Sequence, residues 1–479
     1  MAPSMCRGPR RQTLCVMTTS APQLNTSPLL PGVSPDRVVV PGSDGWDEAR
    51  SAFNLLVDQR PVAIVLAEDE HDVAATVRYA RERGLRVSGQ STGHNAGPLG
   101  SLDDTIIVNV AGLKEVTIDA DAQRVRVGAG VRWEEVVPQL SGLGLAALHG
   151  SSPDVGIAGY SLGGGMGWLA RKHGLQTNSV TAFELVTADG HLVRTDATHE
   201  PDLFWALRGG GGSFGVVTAI EFAVYAYPEV YAGAYFFPFE RVREVLHAWR
   251  ELLPTLPDEL MTWSAVLHFP PDPAMPEEIR GKSFTLVWAV HLGSEEEGSR
   301  LMAPIRELGP AMDTFAMVPP AELGDLAMDP RDPLPFISTH DLLDGVTPEG
   351  IDALVDAVGP ESDAAITLVQ LRHLGGALGR ESATAGARAT LPGEICIFSL
   401  GVVMDEEMGR ATERTLAAID SAVAPYRTGY YPNFVEEPGA DVSDFYAPAT
   451  WQRLREIKSL YDPTDLFKAN HPIPGASNA

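Results

Sequence analysis

The sequence has few cysteines and few basic residues. Its 479 residues include only 3 cysteines, Cys6, Cys15 and Cys396, which are too few and too scattered for a disulfide framework or a zinc cluster. Lysine and arginine number 36 against 63 aspartates and glutamates, which gives a formal net charge of −27. Nucleic acids and anionic membrane surfaces repel so acidic a chain. We therefore expect neither of them as a partner.

Long hydrophobic runs are also missing. No stretch of about 18 apolar residues is present, so the sequence predicts no membrane-spanning helix. Arg10 and Arg11 are typical of a twin-arginine export signal, but the apolar segment that should follow them is absent. Together with the low cysteine content, this favours a reducing, cytoplasmic location. Residues 1–38, which contain a Ser/Thr/Pro-rich stretch, are expected to be a disordered extension.

The rest of the chain has an ordinary globular composition, with 44% hydrophobic residues. Short strands and helices alternate between residues 60 and 228, and hairpins are predicted at 116–128 and 182–195. Residues 229–429 carry longer alternating strands, separated by helices near 240–254, 295–308, 347–358 and 405–424. This pattern predicts an α+β fold, with a mainly antiparallel sheet that helices cover on one face.

A GxSxG motif, GYSLG at residues 159–163, matches the nucleophile elbow of α/β-hydrolases. In that interpretation Ser161 attacks an acyl carbon and a histidine such as His471 is the base. The elbow needs a strong strand before the serine, and only residues 155–158, interrupted by Gly156, are available. A serine hydrolase is therefore the weaker of two interpretations of this segment.

The other interpretation starts from two glycine-dense segments, SGQSTGHNAG at 88–97 and GYSLGGGMGW at 159–168. Glycines let backbone N–H groups approach a phosphate or a flat ring, and two such loops suit a long ligand with a central pyrophosphate. Both can also be plain surface loops. His94 in the first loop is either a solvated hydrogen bonder or a nucleophile that attaches to a cofactor. Tyr431, near Asn433, is either a core residue or a general base.

Several segments, in their order along the chain, resemble a known family. The sequence resembles the FAD-linked oxidases of the berberine-bridge-enzyme type, which share the vanillyl-alcohol-oxidase, or PCMH-type, flavin-binding fold. The resemblance covers roughly residues 40–479 and rests on RPVAIVLAEDEHDVAATVRYARERG, VSGQSTGH, GSSPDVGIAGYSLGGGMGWLARKHGL, ELVTADG, DLFWALRGGGGSFGVVTAIEF, YYPNF and WQRLREIKSLYDPTDLF.

The resemblance implies a FAD-binding domain at residues 39–228, completed by 430–479, and a substrate-binding domain at 229–429. It implies that His94 is bonded to the flavin 8α-methyl carbon and that Tyr431 is the catalytic base. No metal is expected. The implied cofactor-binding residues, besides His94 and Tyr431, are Ser88, Gly89, Gln90, Ser91, Thr92, Gly93, Asn95, Ser152, Gly159, Gly163, Gly164, Gly165, Val217 and Asn433.

The chain departs from the family at positions that concern the flavin and the substrate. Ser152 stands where many members have a cysteine that makes a second flavin bond, so no cysteinyl bond is expected. Asn178 replaces a usual aspartate, and Ala387-Arg388 replaces a usual His-Arg pair. The implied function is an oxidase that removes a hydride from a small natural-product or sugar-like alcohol to flavin N5. Electrons then pass to dioxygen and give hydrogen peroxide; a dehydrogenase with another acceptor is the alternative.

Overall fold

The computed structural model describes residues 30–476. A disordered extension was predicted for residues 1–38, and residues 1–29 of it lie outside the described residues. From residue 30 onward the prediction is wrong, because Leu30 and Val33 are buried in the first core. A 3-10 helix follows at Pro35–Arg37, and Val38 begins the first strand.

The first sheet has four strands and is mostly parallel. Its order is β1-β2-β4-β3, in which β2, β4 and β3 run parallel and β1 is antiparallel to β2. Helix α2 connects β2 to β3; Asp69 caps its start by accepting from two backbone N–H groups, and Gly84, at φ 65°, ends it. The elements are β1 (Val38–Val39), α1 (Trp46–Ala49), β2 (Ala63–Leu66), α2 (Glu70–Arg83), β3 (Arg86–Gln90) and β4 (Thr105–Asn109).

The second sheet has five antiparallel strands in the order β5-β6-β10-β8-β9. It contains both predicted hairpins, which pair β5 with β6 and β8 with β9. The short strand β7 lies outside this sheet and pairs with β11 (Tyr225–Ala226). The elements of this part of the chain are β5 (Val116–Asp119), β6 (Arg124–Gly128), α3 (Trp133–Ser141), β7 (Leu145–Ala146), α4 (Ile157–Gly163), α5 (Ala170–His173), β8 (Val180–Val186), β9 (Leu192–Asp196), α6 (Pro201–Leu207) and β10 (Val216–Ala223).

The third sheet has nine antiparallel strands, ordered β15-β12-β14-β13-β18-β19-β17-β20 with β16 also paired to β12. The four predicted helices lie between its strands, so the α+β prediction is confirmed. The elements are β12 (Val230–Pro238), α7 (Val242–Leu252), β13 (Leu260–His268), β14 (Ser283–His291), α8 (Glu295–Arg306), β15 (Met312–Asp313), β16 (Ala316–Val318), β17 (Phe336–Leu343), α9 (Pro348–Val358), β18 (Leu368–His373), β19 (Ile395–Val402), α10 (Glu406–Val423) and β20 (Arg427–Gly429).

The two faces of this third sheet pack against different parts of the molecule. One face carries Val287 and Leu371 into a core with Trp249 of α7 and residues of α8, α9 and α10. The opposite face carries Trp263 and Trp288 into a core with Ala146, Leu148, Trp168 and Leu169 of the N-terminal half. Both faces are therefore buried, and any ligand between the two halves lies against this second face.

The tail returns to the first sheet after α11 (Pro448–Tyr461). The backbone N–H of Val87 in β3 donates to the carbonyl oxygen of Leu466, and the N–H of Lys468 donates back to Val87. At the end of α11, the buried Lys458 ammonium lies 2.6 Å from the Asp462 carboxylate. These contacts add the chain end to the sheet that carries the first glycine loop. The domain boundaries at residues 228 and 430 stay predictions.

A largely buried carboxyl group in the tail gives a pH-dependent stability. Burial raises the pKa of Glu436 from 4.5 to about 7, although Asn54 donates to its Oε2 at 3.2 Å. Because the folded protein holds this proton up to a higher pH than the unfolded chain does, stability falls as the pH rises from about 4.5 to 7. We expect Glu436→Gln to match the wild type at pH 4 and to unfold at a higher temperature than it at pH 8.

Thermal unfolding of both proteins at the two pH values measures this difference. Glu437→Gln, at the exposed neighbouring position, is the matched control and should show no difference that depends on pH. An advantage of Glu436→Gln that is the same at pH 4 and pH 8 would contradict the assignment.

Candidate functional site

The first predicted site residues lie at the end of β3 and in the loop after it. Ser88, Gly89 and Gln90 are the last residues of β3 and pair with β4. Gly89 lies so close to β10 that a Cβ here would be 3.2 Å from Val216 Cγ1. Beyond the strand, the backbone N–H groups of residues 91–95 donate to no residue that the structure describes. Successive free N–H groups in a turn form a binding site for anions such as phosphate.

His94 in this loop has three defined neighbours. Its Nε2 lies 3.1 Å from Asp154 Oδ2, its Nδ1 lies 2.8 Å from Thr92 Oγ1, and its ring stacks on Phe53 with 3.9 Å between centroids. An ionised carboxylate only accepts hydrogen bonds, so in the neutral imidazole Nε2 carries the proton and Nδ1 carries the lone pair. The side chain is thus fixed in orientation and tautomer, with Nδ1 as its nucleophilic atom.

The residues just before the second glycine-dense segment pack against the first segment. A Cβ on Gly156 would lie 2.9 Å from Ser91 Oγ, so a larger residue here would displace the loop. Ser152, at the position of the family's second flavin-linking residue, donates to Asp329 Oδ2 at 2.7 Å. Gly159 has open space where its Cβ would be, on the first turn of α4. The start of α4, which carries the second segment, is therefore anchored beside the first segment.

The end of α4 meets the tail at Tyr431. Its phenol oxygen accepts hydrogen bonds from the backbone N–H of Gly165 at 3.0 Å, the N–H of Met166 at 2.9 Å and Asn433 Nδ2 at 3.0 Å. Burial raises the pKa of Tyr431 to about 12, while the two backbone N–H groups and the charge of Arg372 oppose that rise. Gly163 and Gly164 adjoin this contact: a Cβ on Gly163 would overlap Asn433 Oδ1, and one on Gly164 would lie 3.2 Å from the Tyr431 ring.

Buried polar atoms without a partner test whether these residues fit FAD. Such atoms are rare in folded proteins and mark places where another group binds. Several occur together around the two segments, and none of them has a hydrogen-bond partner among residues 30–476. They are Gln90 Oε1, Ser91 Oγ, Asn95 Oδ1, Asp154 Oδ1 and Thr218 Oγ1. With the free N–H groups of residues 91–95 they supply donors and acceptors for a long polar ligand, so the site fits FAD.

The remaining predicted residues have supporting positions. Val217 is buried in β10, next to Thr218, and Asn95 Nδ2 donates to the carbonyl oxygen of Pro432 at 3.0 Å. Asn433 Nδ2 also donates to the carbonyl oxygen of Tyr160 at 3.0 Å. The loop that carries His94 is thereby tied to the segment that carries Tyr431.

The GxSxG motif does not form a nucleophile elbow. Ser161 lies within α4, is fully buried, and donates its hydroxyl to the carbonyl oxygen of Ile157 at 2.8 Å. Ile157 and Ala158, taken from the sequence as strand residues, already belong to this helix. An elbow holds its serine at a sharp, exposed strand-to-helix turn, so the structure contradicts the hydrolase interpretation.

Sequence reasoning missed a pair of polar side chains in β18. Gln370 and Arg372 are two residues apart on one strand and therefore share a face of the third sheet. Arg372 is paired across strands with Trp263 and Cys396, and its guanidinium lies 4.0 Å from the Trp263 ring centroid. The available signal was the alternation of apolar and strongly polar residues in LVQLR, at positions 368–372.

Comparison with known proteins identifies the family. A family model described as "FAD binding domain" matches residues 61–196, and one described as "Berberine and berberine like" matches residues 442–474. The two matched ranges include both glycine-dense segments and the returning tail. The chain belongs to the berberine-bridge-enzyme-like family of FAD-linked oxidoreductases.

Relatives in this berberine-bridge-enzyme-like family match the chain over most of its length. (R)-6-Hydroxynicotine oxidase of Paenarthrobacter nicotinovorans is 29% identical over 454 residues, which cover 91% of this chain and 96% of the relative. Xylooligosaccharide oxidase of Thermothelomyces thermophilus is 26% identical over 482 residues, with 90% of each chain covered. Each name describes that relative and its own substrate.

Solved structures of berberine-bridge-enzyme-like proteins have the same fold. The crystal structure of 6-hydroxy-D-nicotine oxidase from Arthrobacter nicotinovorans superimposes with a TM-score of 0.78 at 27% identity, covering 91% of this chain and 97% of that one. BBE-like 1 of Physcomitrella patens gives a TM-score of 0.79 at 22% identity, covering 91% of this chain and 96% of that one.

Across residues 30–476 of the present protein, no helix is long and apolar enough to cross a membrane, and no cluster of His, Cys, Asp and Glu could hold a metal.

Proposed function

We propose that this protein is an oxidase with FAD attached covalently through His94. It would remove a hydride from an alcohol carbon of a natural-product or sugar-like molecule, with dioxygen as the final electron acceptor and hydrogen peroxide as the product. The observation that supports this most directly is the fixed environment of His94. Asp154, Thr92 and Phe53 hold its ring beside the free N–H groups of residues 91–95.

In this proposal the residues of the chain itself bind FAD and orient it. The N–H groups of residues 91–95 would hold the diphosphate, which explains how an acidic protein can bind this anion without a basic surface. Bound FAD supplies the hydride acceptor and passes the electrons to dioxygen. Asp154 keeps His94 Nδ1 unprotonated for attachment. Ser152 has no thiol for a second attachment by a thioether bond and instead donates to Asp329, so His94 would be the single point of attachment.

Tyr431 is the group that we propose to accept the proton of the substrate hydroxyl. A neutral phenol oxygen has two lone pairs, whereas a phenolate has three. Three N–H donors converge on the Tyr431 oxygen, so these contacts favour its ionised form. Burial acts in the opposite direction, and the balance makes this base more effective at alkaline pH.

A screen for peroxide tests the proposed reaction. We expect the purified protein to be yellow and to release hydrogen peroxide with at least one member of a panel of sugars, aromatic alcohols and hydroxylated natural products. A peroxidase-coupled assay measures the peroxide. Colourless protein would refute flavin binding. Turnover with an artificial acceptor but no peroxide in air would identify a dehydrogenase in place of an oxidase.

We also propose that the protein works in the cytoplasm. The support is the content of 3 cysteines in 479 residues, of which Cys396 is buried and free. A reducing compartment suits such a chain. Detection of the protein in the exported fraction of its host's cells would refute this location.

A further inference from the structure

Arg372 is a buried cation at the junction of the two halves of the protein. Only 6% of its surface is exposed. The guanidinium lies over the ring of Trp263 at 4.0 Å and over the ring of Phe434 at 4.8 Å, measured to the ring centroids. Trp263 is itself stacked on Trp168 of the glycine-dense segment, with 3.6 Å between centroids. The arginine thus sits on the sheet face that packs against the flavin domain, with flat apolar rings beside it.

This cation has no carboxylate partner among residues 30–476. Its Nε donates to Gln370 Oε1 at 2.6 Å, and the two terminal nitrogens have no hydrogen-bond acceptor among the described residues. Asp329 is near enough to favour the charge, but its carboxylate accepts from Ser152 and forms no ion pair with Arg372. A guanidinium stays protonated even when buried, so an unpaired positive charge remains. Such a charge destabilises the fold unless an anion binds to it.

Arg171 is a buried arginine that the chain itself satisfies, whereas Arg388 keeps a buried Nε without a partner among residues 30–476. Arg171 donates through all three guanidinium nitrogens, to carbonyl oxygens that include those of Leu260 and Leu256. The half-exposed Arg427 pairs with the buried carboxylate of Asp341. Arg372 differs because neither of its terminal nitrogens has an acceptor among the described residues, whereas Arg208 and Arg388 each use one of theirs.

We propose that Arg372 binds a carboxylate group of the substrate, and that the enzyme therefore acts on an anionic small molecule with an apolar or aromatic body. This inference rests on the proposed oxidase function, because it places the substrate beside Arg372 and Tyr431, which both contact the ring of Phe434. The planar fork of a guanidinium matches the two oxygens of a carboxylate, and the rings of Trp263 and Phe434 suit an apolar body. The net charge of −27 opposes long-range attraction of an anion, so recognition must be local.

Binding can be measured without knowing the substrate. The probes are benzoate and phenylacetate, with benzamide and phenylacetamide as neutral analogues of nearly the same shape. Titration calorimetry and thermal shift are recorded on the flavin-loaded wild type, Arg372→Met and Arg372→Lys. Arg380→Met changes the net charge equally but at an exposed position paired with Asp258, so it is the matched control.

We expect at least one carboxylate to bind the wild type about tenfold or more tightly than its amide, and Arg372→Met to lose that preference. Arg372→Lys should keep part of it, and Arg380→Met all of it. Because a buried unpaired charge is removed, Arg372→Met should unfold at the same temperature as the wild type or higher, and its flavin content should be unchanged. Equal binding of acids and amides to the wild type, or an unchanged preference in Arg372→Met, would overturn the proposal.

The test separates this inference from the proposed function. Binding of carboxylates needs no turnover, so it can fail while peroxide is still produced from a neutral alcohol. Conversely, a protein without oxidase activity can still bind carboxylates more tightly than their amides. Failure of the oxidase proposal is recognised in the wild type by the absence of flavin or of peroxide, and neither observation requires a preference for carboxylates over amides.

Discussion

When the purified His94→Ala protein is precipitated with acid, we expect all of its flavin to stay in the supernatant. The wild type should keep its yellow colour in the precipitate, because a covalent bond survives denaturation and the folded site does not. Before precipitation His94→Ala should still be yellow. The N–H groups of residues 91–95 and the unpartnered polar atoms around them remain to bind FAD without the bond.

The environment of His94 also predicts which of its atoms bonds to the flavin and which substitution slows the formation of that bond. Asp154 holds the proton on Nε2, so we expect attachment through Nδ1. Asp154→Asn can no longer fix that tautomer, and freshly made protein should contain a mixture of bound and releasable flavin. Absorbance of the precipitate and supernatant measures both fractions. His191→Ala, at an exposed histidine of the same domain, is the control. Flavin that stays in the precipitate of His94→Ala would refute the linkage.

Local patterns in the sequence predicted most elements of the fold. Helix α2 ends at Gly84, which adopts φ 65°, and a glycine after a helical pattern is a stop signal within the sequence itself. Turn residues predicted the hairpins of β5 with β6 and β8 with β9. These features depend on residues close together in the chain. The order of the nine strands in the third sheet does not, because it is set by packing between distant segments.

The candidate site was only partly predictable for the same reason. The glycine-dense loop with His94 carries its signal in ten consecutive residues. Asp154 and Phe53, which orient His94, are far from it in sequence and have no local signature. Gln370 and Arg372 resemble the solvated face of an antiparallel strand. Only the structure reveals that both faces of the third sheet are covered, which turns that polar pair into a buried one.

Replacement of Tyr431 by phenylalanine should lower kcat by about 10²–10⁴-fold, the usual contribution of a general base. The substrate is any compound found in the peroxide screen. Phenylalanine keeps the ring that packs edge-on against Phe434 at 4.9 Å between centroids and removes only the oxygen. Flavin content should therefore stay near that of the wild type, whereas the loss of an acceptor for three buried N–H donors should lower the unfolding temperature. An unchanged kcat in Tyr431→Phe would exclude this residue as the base.

The pH profile gives a second, independent test of the same base. Burial raises the pKa of Tyr431 to about 12, so the phenolate is a minor species at neutral pH. Since only the phenolate can accept a proton, kcat/KM of the wild type should rise about tenfold per pH unit through the neutral range, and Tyr431→Phe should lose that slope. Asn433→Leu removes one of the three donors that favour the phenolate, so its rate should fall at every pH below that pKa while the slope persists. A flat wild-type profile would mean that the substrate proton leaves by another route.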